Sequence, residues 1–299
     1  MLRFRGFGLV AVLGLVVGVA GCTTASPVSS AQAADLHRQA QAALTRWDAA
    51  VAASGGAPDF VLVGERTLFV GNDWGPNIDA GNAKVAWYAG LFVASEPLPT
   101  DAPPAGSIRW QDGTNRAVAV ISAQQALTDM KTTGGSPCPT CTPLEVTGAR
   151  LTTATFQSSK GPAEVPAWEF SLKDAEAKLD QVAVKTRFAV PPVPGAEDQT
   201  GQWVGPSVMS ATAGADGITL TVSFVGAPET GDKGCGADYT ADAVESDNAV
   251  VVIVYEHRNT LPVACTDVGA TRTARVTLAR SFGSRTLIDL QAQPISVTR

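Results

Sequence analysis

The stretch Ala249-Val250-Val251-Val252-Ile253-Val254-Tyr255 decides the fold class. A continuous Val-rich run of this kind suits a central strand, because a strand with one solvated face alternates apolar with polar residues and this one does not. Ile218 to Val225 does alternate, and Thr273 to Leu278 and Thr286 to Ala292 add further short β-rich runs around it. Upstream, Leu144 to Phe156, Val165 to Leu172 and Gln181 to Val190 read as longer strands, with Ser158 to Gly161 as a turn. Phe60 to Val63, Thr67 to Val70, Lys84 to Val93 and Ser107 to Trp110 read as shorter strands separated by Gly, Asn, Asp and Pro.

Two segments break this pattern. Asp35 to Ser54 places Leu36, Ala40, Ala43, Leu44, Trp47 and Val51 at steps of three and four, which predicts an amphipathic helix ended by Gly55-Gly56. Ser122, with Gln125 three residues on, predicts a capped short helix reaching about Met130. The prolines and glycines around Pro191, Pro192, Pro194, Gly195 and Gly201 mark a boundary. The expected fold is mainly β with minor α, in two β-rich, sandwich-like domains. Residues 35–190 form an α+β N-terminal domain opened by the amphipathic helix and containing the short one. Residues 191–203 are a Pro/Gly-rich linker, and residues 204–299 are a β-sandwich-like C-terminal domain.

The first residues carry an address. Met1 to Gly8 contains Arg3 and Arg5 and no acid, and Leu9 to Ala20 is an unbroken apolar run. A membrane span needs roughly 20 apolar residues, so this shorter run ending in small residues reads as a cleaved signal peptide, residues 1–21. It stops at Val19-Ala20-Gly21-Cys22. That motif resembles the lipobox of bacterial lipoproteins. The resemblance implies a diacylglyceryl thioether on Cys22, cleavage before it, and acylation of the new amino terminus by a chain such as palmitate. Two or more acyl chains hold a protein durably at a bilayer, so lipid suffices as the anchor. Residues 22–34, small and polar, read as a flexible tether. The expected location is the outer face of the cell membrane.

Loss of Arg3 and Arg5 leaves 20 basic against 28 acidic residues, a charge of minus 8 that disfavours nucleic acid and anionic headgroups as partners. Lipidation of Cys22 leaves Cys138, Cys141, Cys235 and Cys265, an even number that reads as disulfides in an exported chain. Three pairings are open, and proximity favours Cys138 with Cys141 and Cys235 with Cys265. Ser136 to Thr152, Gly161 to Phe170 and the C-terminal stretches Cys235 to Tyr239, Ala243 to Ser246 and Arg272 to Ala274 resemble uncharacterised exported lipoproteins of actinobacteria. That resemblance implies neither an activity nor a ligand.

Candidate chemistry is sparse. Cys138-Pro139-Thr140-Cys141 has the spacing of thiol-disulfide oxidoreductases, but it precedes strand-like sequence where a redox thiol sits at a helix start, so a static loop-closing disulfide is the better reading. His37 and His257 are the only histidines, too few for a structural zinc site with these cysteines. Glu256 beside His257 is the one arguable acid-base pair, yet neighbours on a strand face opposite ways. Asn72, Asp73, Asn77, Asp79 and Asn82 gather oxygen ligands without the EF-hand spacing, and read as a polar turn loop. The tryptophans, at 47, 74, 87, 110, 168 and 203, read chiefly as packing residues, with some free to line a ligand cleft.

No cofactor, metal or catalytic constellation follows from the sequence. The expectation is a membrane-anchored envelope module for binding or structural contact with an envelope protein or glycan; the alternatives are an envelope hydrolase working through carboxylates, or a thiol-redox module using Cys138 and Cys141. Replacing the lipid acceptor tests the anchor. Cys22→Ser should leave an uncleaved precursor or a chain shed into the medium, and recovery of unchanged, detergent-extractable lipidated protein from that variant overturns the assignment.

Overall fold

In a computed structural model, the described residues are 28–135, 137–186, 188–191, 205–259, 264–266 and 268–299. Cys22, the signal peptide, most of the expected linker and Trp203 lie outside them. In chain order the elements are α1 (Ser30–Ala53), β1 (Thr67–Val70), α2 (Ala80–Tyr88), β2 (Phe92–Ala94), β3 (Gly106–Trp110), β4 (Asn115–Val118) and α3 (Ala123–Thr132). Then come β5 (Leu144–Ser158), β6 (Gly161–Leu172), β7 (Lys178–Val182), β8 (Val208–Ala213), β9 (Thr219–Gly226) and β10 (Ala237–Glu245). The chain ends with β11 (Ala249–Arg258), β12 (Ala270–Thr277), β13 (Thr286–Ile288) and β14 (Pro294–Thr298). Among the described residues, with 40% in strands and 17% in helices, the protein is mainly β, with two sheets and three helices.

The Val-rich run is a strand of the second sheet, whose order is β10-β11-β13-β14-β8-β9-β12. Val250, Val252 and Val254 point into one core with Leu220, Val222, Phe224 and Val276. Ala249, Val251 and Ile253 point the other way, and α1 covers them with Leu36, Ala40, Ala43, Leu44, Trp47 and Val51. The helix expected to open the first domain therefore packs on the second sheet. The reason is complementary surface: β11 needs cover on both faces, and α1 supplies the apolar stripe. The sheet curls until its outer strands β10 and β12 lie side by side. The Tyr239 ring of β10 meets Phe224 of β9 edge-on at 4.8 Å.

The first sheet is organised by β6, which pairs along its length with β5, and on its other edge with β3 at its start and β7 at its end. Trp168, Phe170 and Leu172 face α2 and α3 in one core, while Ala163, Val165 and Ala167 face Phe60, Ile108 and Phe156 in another. The β5–β6 turn meets the second sheet, where Val297 N–H donates to the Ser159 carbonyl at 3.3 Å.

Four expectations need correction. The first helix begins at Ser30, capped by Ser29, so residues 30–34 of the expected tether are helical; alanine is the best helix former and three of these five are alanine. Lys84 to Val93 is no strand: Asp79 accepts from the backbone N–H groups of Gly81 and Asn82 and starts α2 there. That helix ends at Gly90, whose φ of 69° permits the turn into β2. The crossing of the ends of α2 and α3 needs Gly134, where a Cβ would stand 2.4 Å from the Ala89 carbonyl oxygen. Phe60 to Val63 makes only a bridge from Leu62 to Ser158, and Gln181 to Val190 is regular strand only to Val182, followed by a bridge from Val184 to Val120. Trp47, 1% exposed beneath β11, is the centre of the helix–sheet contact. Trp47→Ala should cost about 3–5 kcal/mol, the range for removing a buried Trp or Phe, read as a lower denaturant midpoint.

Candidate functional site

The residues singled out from sequence mostly prove structural. Disulfides join Cys138 to Cys141 and Cys235 to Cys265. The first closes a turn ahead of β5, and the second ties the start of β10 to the segment before β12. Glu256 and His257 do face opposite ways on β11. Glu256 is buried, accepting from the Tyr239 hydroxyl at 3.1 Å, with Arg258 Nε 3.0 Å from its other oxygen but not aligned as a hydrogen bond. His257 lies on the outside against Thr240 at 2.8 Å, and His37 pairs with Asp242 at 3.1 Å. Burial and the neighbouring Glu256 charge push the Tyr239 hydroxyl above its usual range.

The polar loop before α2 is likewise committed. Asp73 accepts from Gly75 N–H, Asp79 caps the helix, and the Asn82 amide exchanges two 2.9 Å hydrogen bonds with the Thr142 backbone. Among the described residues no cluster of three or more His, Cys, Asp or Glu side chains is set to hold a metal ion.

Two acidic pairings escaped the sequence reading. Glu245, at the end of β10, is bound by Arg285, whose side chain is only 5% exposed, at 2.6 Å, and by the Ala279 N–H at 2.7 Å. Burial opposes its ionisation, but these partners outweigh it and hold the carboxyl below its usual range. Glu169 and Asp180 stand directly opposite on β6 and β7. Glu169 is held low by Lys178 and Arg150. Asp180 is pushed up, first by burial and then by the Glu169 charge, and its Oδ1 is buried without a hydrogen-bond partner among the described residues. Neither carboxylate lines any of the four cavities described for the molecule.

The concave surface with the strongest claim to a ligand lies where α1 and the two sheets meet. A cavity of about 150 Å³ is lined by Trp47, Phe60, Leu62, Val182, Val184 and Phe188, with Arg66 and Gln293 as polar groups. A second, of about 300 Å³, shares Phe60, Val184, Thr186 and Phe188 with it and adds Lys185. Trp47 and Phe188 meet edge-on at 4.8 Å and form part of the wall. Asp59, the acid of this region, is paired with Arg116. The guanidinium of Arg66 and the ammonium of Lys185 make no ion pair among the described residues, so a cleft with aromatic walls carries two cations without an ion-pair partner in a chain of net charge minus 6. A cleft of mixed polar and apolar lining at a junction of units is a place where small-molecule sites occur. A larger cavity, about 510 Å³, opens beside the Cys235–Cys265 disulfide near Glu256, whose carboxylate is already engaged.

No family model, curated protein or solved structure matches the chain, so the geometry alone carries the functional argument. Asp180 offers a check on the electrostatics. Its carboxyl is raised in the folded state, so charging it destabilises the fold as pH rises through and above the ordinary carboxylate range, and protonation at low pH removes the penalty. Asp180→Asn, whose amide can donate to Glu169, should therefore raise the melting midpoint at pH 7 and lose that advantage near pH 3, about a unit below the ordinary carboxyl pKa. An equal shift at both pH values contradicts the burial of the charge.

Proposed function

We propose that the protein is a lipid-anchored, non-catalytic envelope module, tethered through Cys22 at the outer face of the cell membrane, that holds a small amphiphile in the cleft between α1 and the two sheets. The observation that carries this reading is the pairing of an aromatic-walled cleft with the unpaired cations Arg66 and Lys185. An apolar body would fill the space along Trp47, Phe60 and Phe188, and an anionic group would meet the cations, which gain strength beside a low-dielectric wall. A binding reading also agrees with the use of the ionisable groups. Glu245, Glu256, His37 and His257 are each tied to a structural partner and none is presented as a nucleophile or a free base beside the cleft.

The alternative of an envelope hydrolase draws on Glu169 and Asp180, whose ionisation tendencies diverge as those of an acid and its partner do in two-carboxylate chemistry. The thiol-redox alternative draws on Cys138 and Cys141. Neither has a cavity at its reacting groups to seat a substrate among the four described.

The anionic naphthalene dye ANS is a suitable probe of the cleft, used with the full chain in micelles of a non-binding detergent. Saturable fluorescence enhancement is expected, weakened about tenfold by Arg66→Ala, the loss that about 1.4 kcal/mol represents. Thr186→Trp, at an exposed position lining both cavities, should abolish it while leaving the melting midpoint in place. Enhancement unaffected by both substitutions refutes the cleft as the binding seat.

A further inference from the structure

A run of aromatic rings leads from the first core to the surface at α2. Phe69 and Trp74 meet at 4.9 Å, Trp74 and Trp87 at 6.1 Å, and Trp87 stacks on Tyr88 at 5.1 Å with only 13° between the planes. Tyr88 ends the run, a residue 53% exposed. Its place is fixed from behind, where the Tyr88 carbonyl accepts from Gly135 N–H at 2.7 Å at the crossing of α2 and α3. Rigid exposed aromatics are costly to leave in water and are the usual anchors of recognition surfaces.

Beside the stack lies a shallow cavity of about 190 Å³ whose lining includes Trp87, Tyr88, Met130, Glu65, Arg66 and Thr133. It is smaller than the roughly 300–1,000 Å³ typical of sites for drug-sized ligands, so it suits one ring of a larger molecule. The Glu65 carboxylate and the Arg66 guanidinium make no hydrogen bond or ion pair with another side chain among the described residues. Two planar, oppositely charged groups thus stand free at the edge of an aromatic surface.

We infer that this surface binds a single ring of a neutral polysaccharide. A pyranose presents C–H groups from its face and hydroxyls from its rim. The C–H groups suit the electron-rich face of Tyr88. Vicinal hydroxyls suit planar bidentate partners, the carboxylate accepting and the guanidinium donating. The Glu65 carboxylate at this surface would repel an anionic sugar, which favours a neutral one. A membrane-surface role fits less well, because interfacial helices set their aromatics against a strongly basic face and α2 carries a single Lys. Tyr88 and Glu65 belong to this surface and not to the amphiphile cleft, while Arg66 lines both.

The test uses the full chain in detergent micelles with soluble neutral tetrasaccharides of hexose and of N-acetylhexosamine, read by tryptophan emission and by competition for insoluble cell-wall polysaccharide in co-sedimentation. Saturable binding is expected with at least one of them. Tyr88→Ala should weaken it about tenfold or more, Tyr88→Phe should retain it, and Glu65→Gln should weaken it less than Tyr88→Ala does. Circular dichroism and unchanged ANS binding establish that Tyr88→Ala remains folded with its cleft intact. Absence of saturable binding by every tetrasaccharide, or binding indifferent to Tyr88→Ala, overturns the proposal. So does co-flotation with lipid vesicles that Tyr88→Ala abolishes while sugar binding is unchanged.

Discussion

The contact between α1 and β11 is the constraint on which the rest of the structure hangs. A strand reading Val-Val-Val-Ile-Val has no face for water, so the second sheet needs an apolar layer on its outside as well as its own curled interior. α1 is that layer. Because it comes from the start of the chain and lies on a strand near the end, the first sheet is strung between two parts of one packed unit. The cleft is a by-product of that arrangement: Trp47 of the helix, Phe60 and Val184 of the first sheet's margin, and Pro294 of the last hairpin converge on it.

The charged groups follow the same economy of position. Where a helix start or a strand end needed fixing, a carboxylate sits there, as with Asp79 on backbone N–H groups at the head of α2 and the ion pair of Glu245 with Arg285 ahead of β11. A buried pair of this kind offers little net stability over an apolar substitute, though removing one partner alone is damaging. Its evident role is to specify geometry. Among the charged groups outside such pairs, Arg66 and Lys185 at the cleft and Glu65 beside Tyr88 are the ones that line cavities with aromatic walls.

Legibility in the sequence tracked how local the governing interaction is. β11 announces itself because both faces are apolar, and α3 because Ser122 caps it within its own first turn. α2 was hidden since Lys84 to Val93 is rich in β-branched and aromatic residues, and its Asp79 cap reads equally well as a loop acid. The start of α1 was missed because Ser30 to Ala34 has helix propensity without the apolar period that helix recognition relies on. The cleft was out of reach altogether. Its walls come from residues 47 to 294, and no spacing rule links a tryptophan on a helix to a phenylalanine some 140 positions later. The aromatic stack was half visible, as tryptophans without a stated geometry.

The pairing of an early helix with a late strand also bears on how the chain reaches its fold. Synthesis delivers α1 first, and its apolar stripe then lacks its main partner until nearly two hundred further residues have followed, since the helix ends at Ala53 and β11 begins at Ala249. Contacts of such sequence separation are slow to form and leave apolar surface open in the meantime. A truncated or stalled chain would carry an amphipathic helix with nothing to cover, an adhesive end seeking other surfaces. Completion of the last third of the polypeptide is thus what converts the first helix from a liability into the lid of the second core.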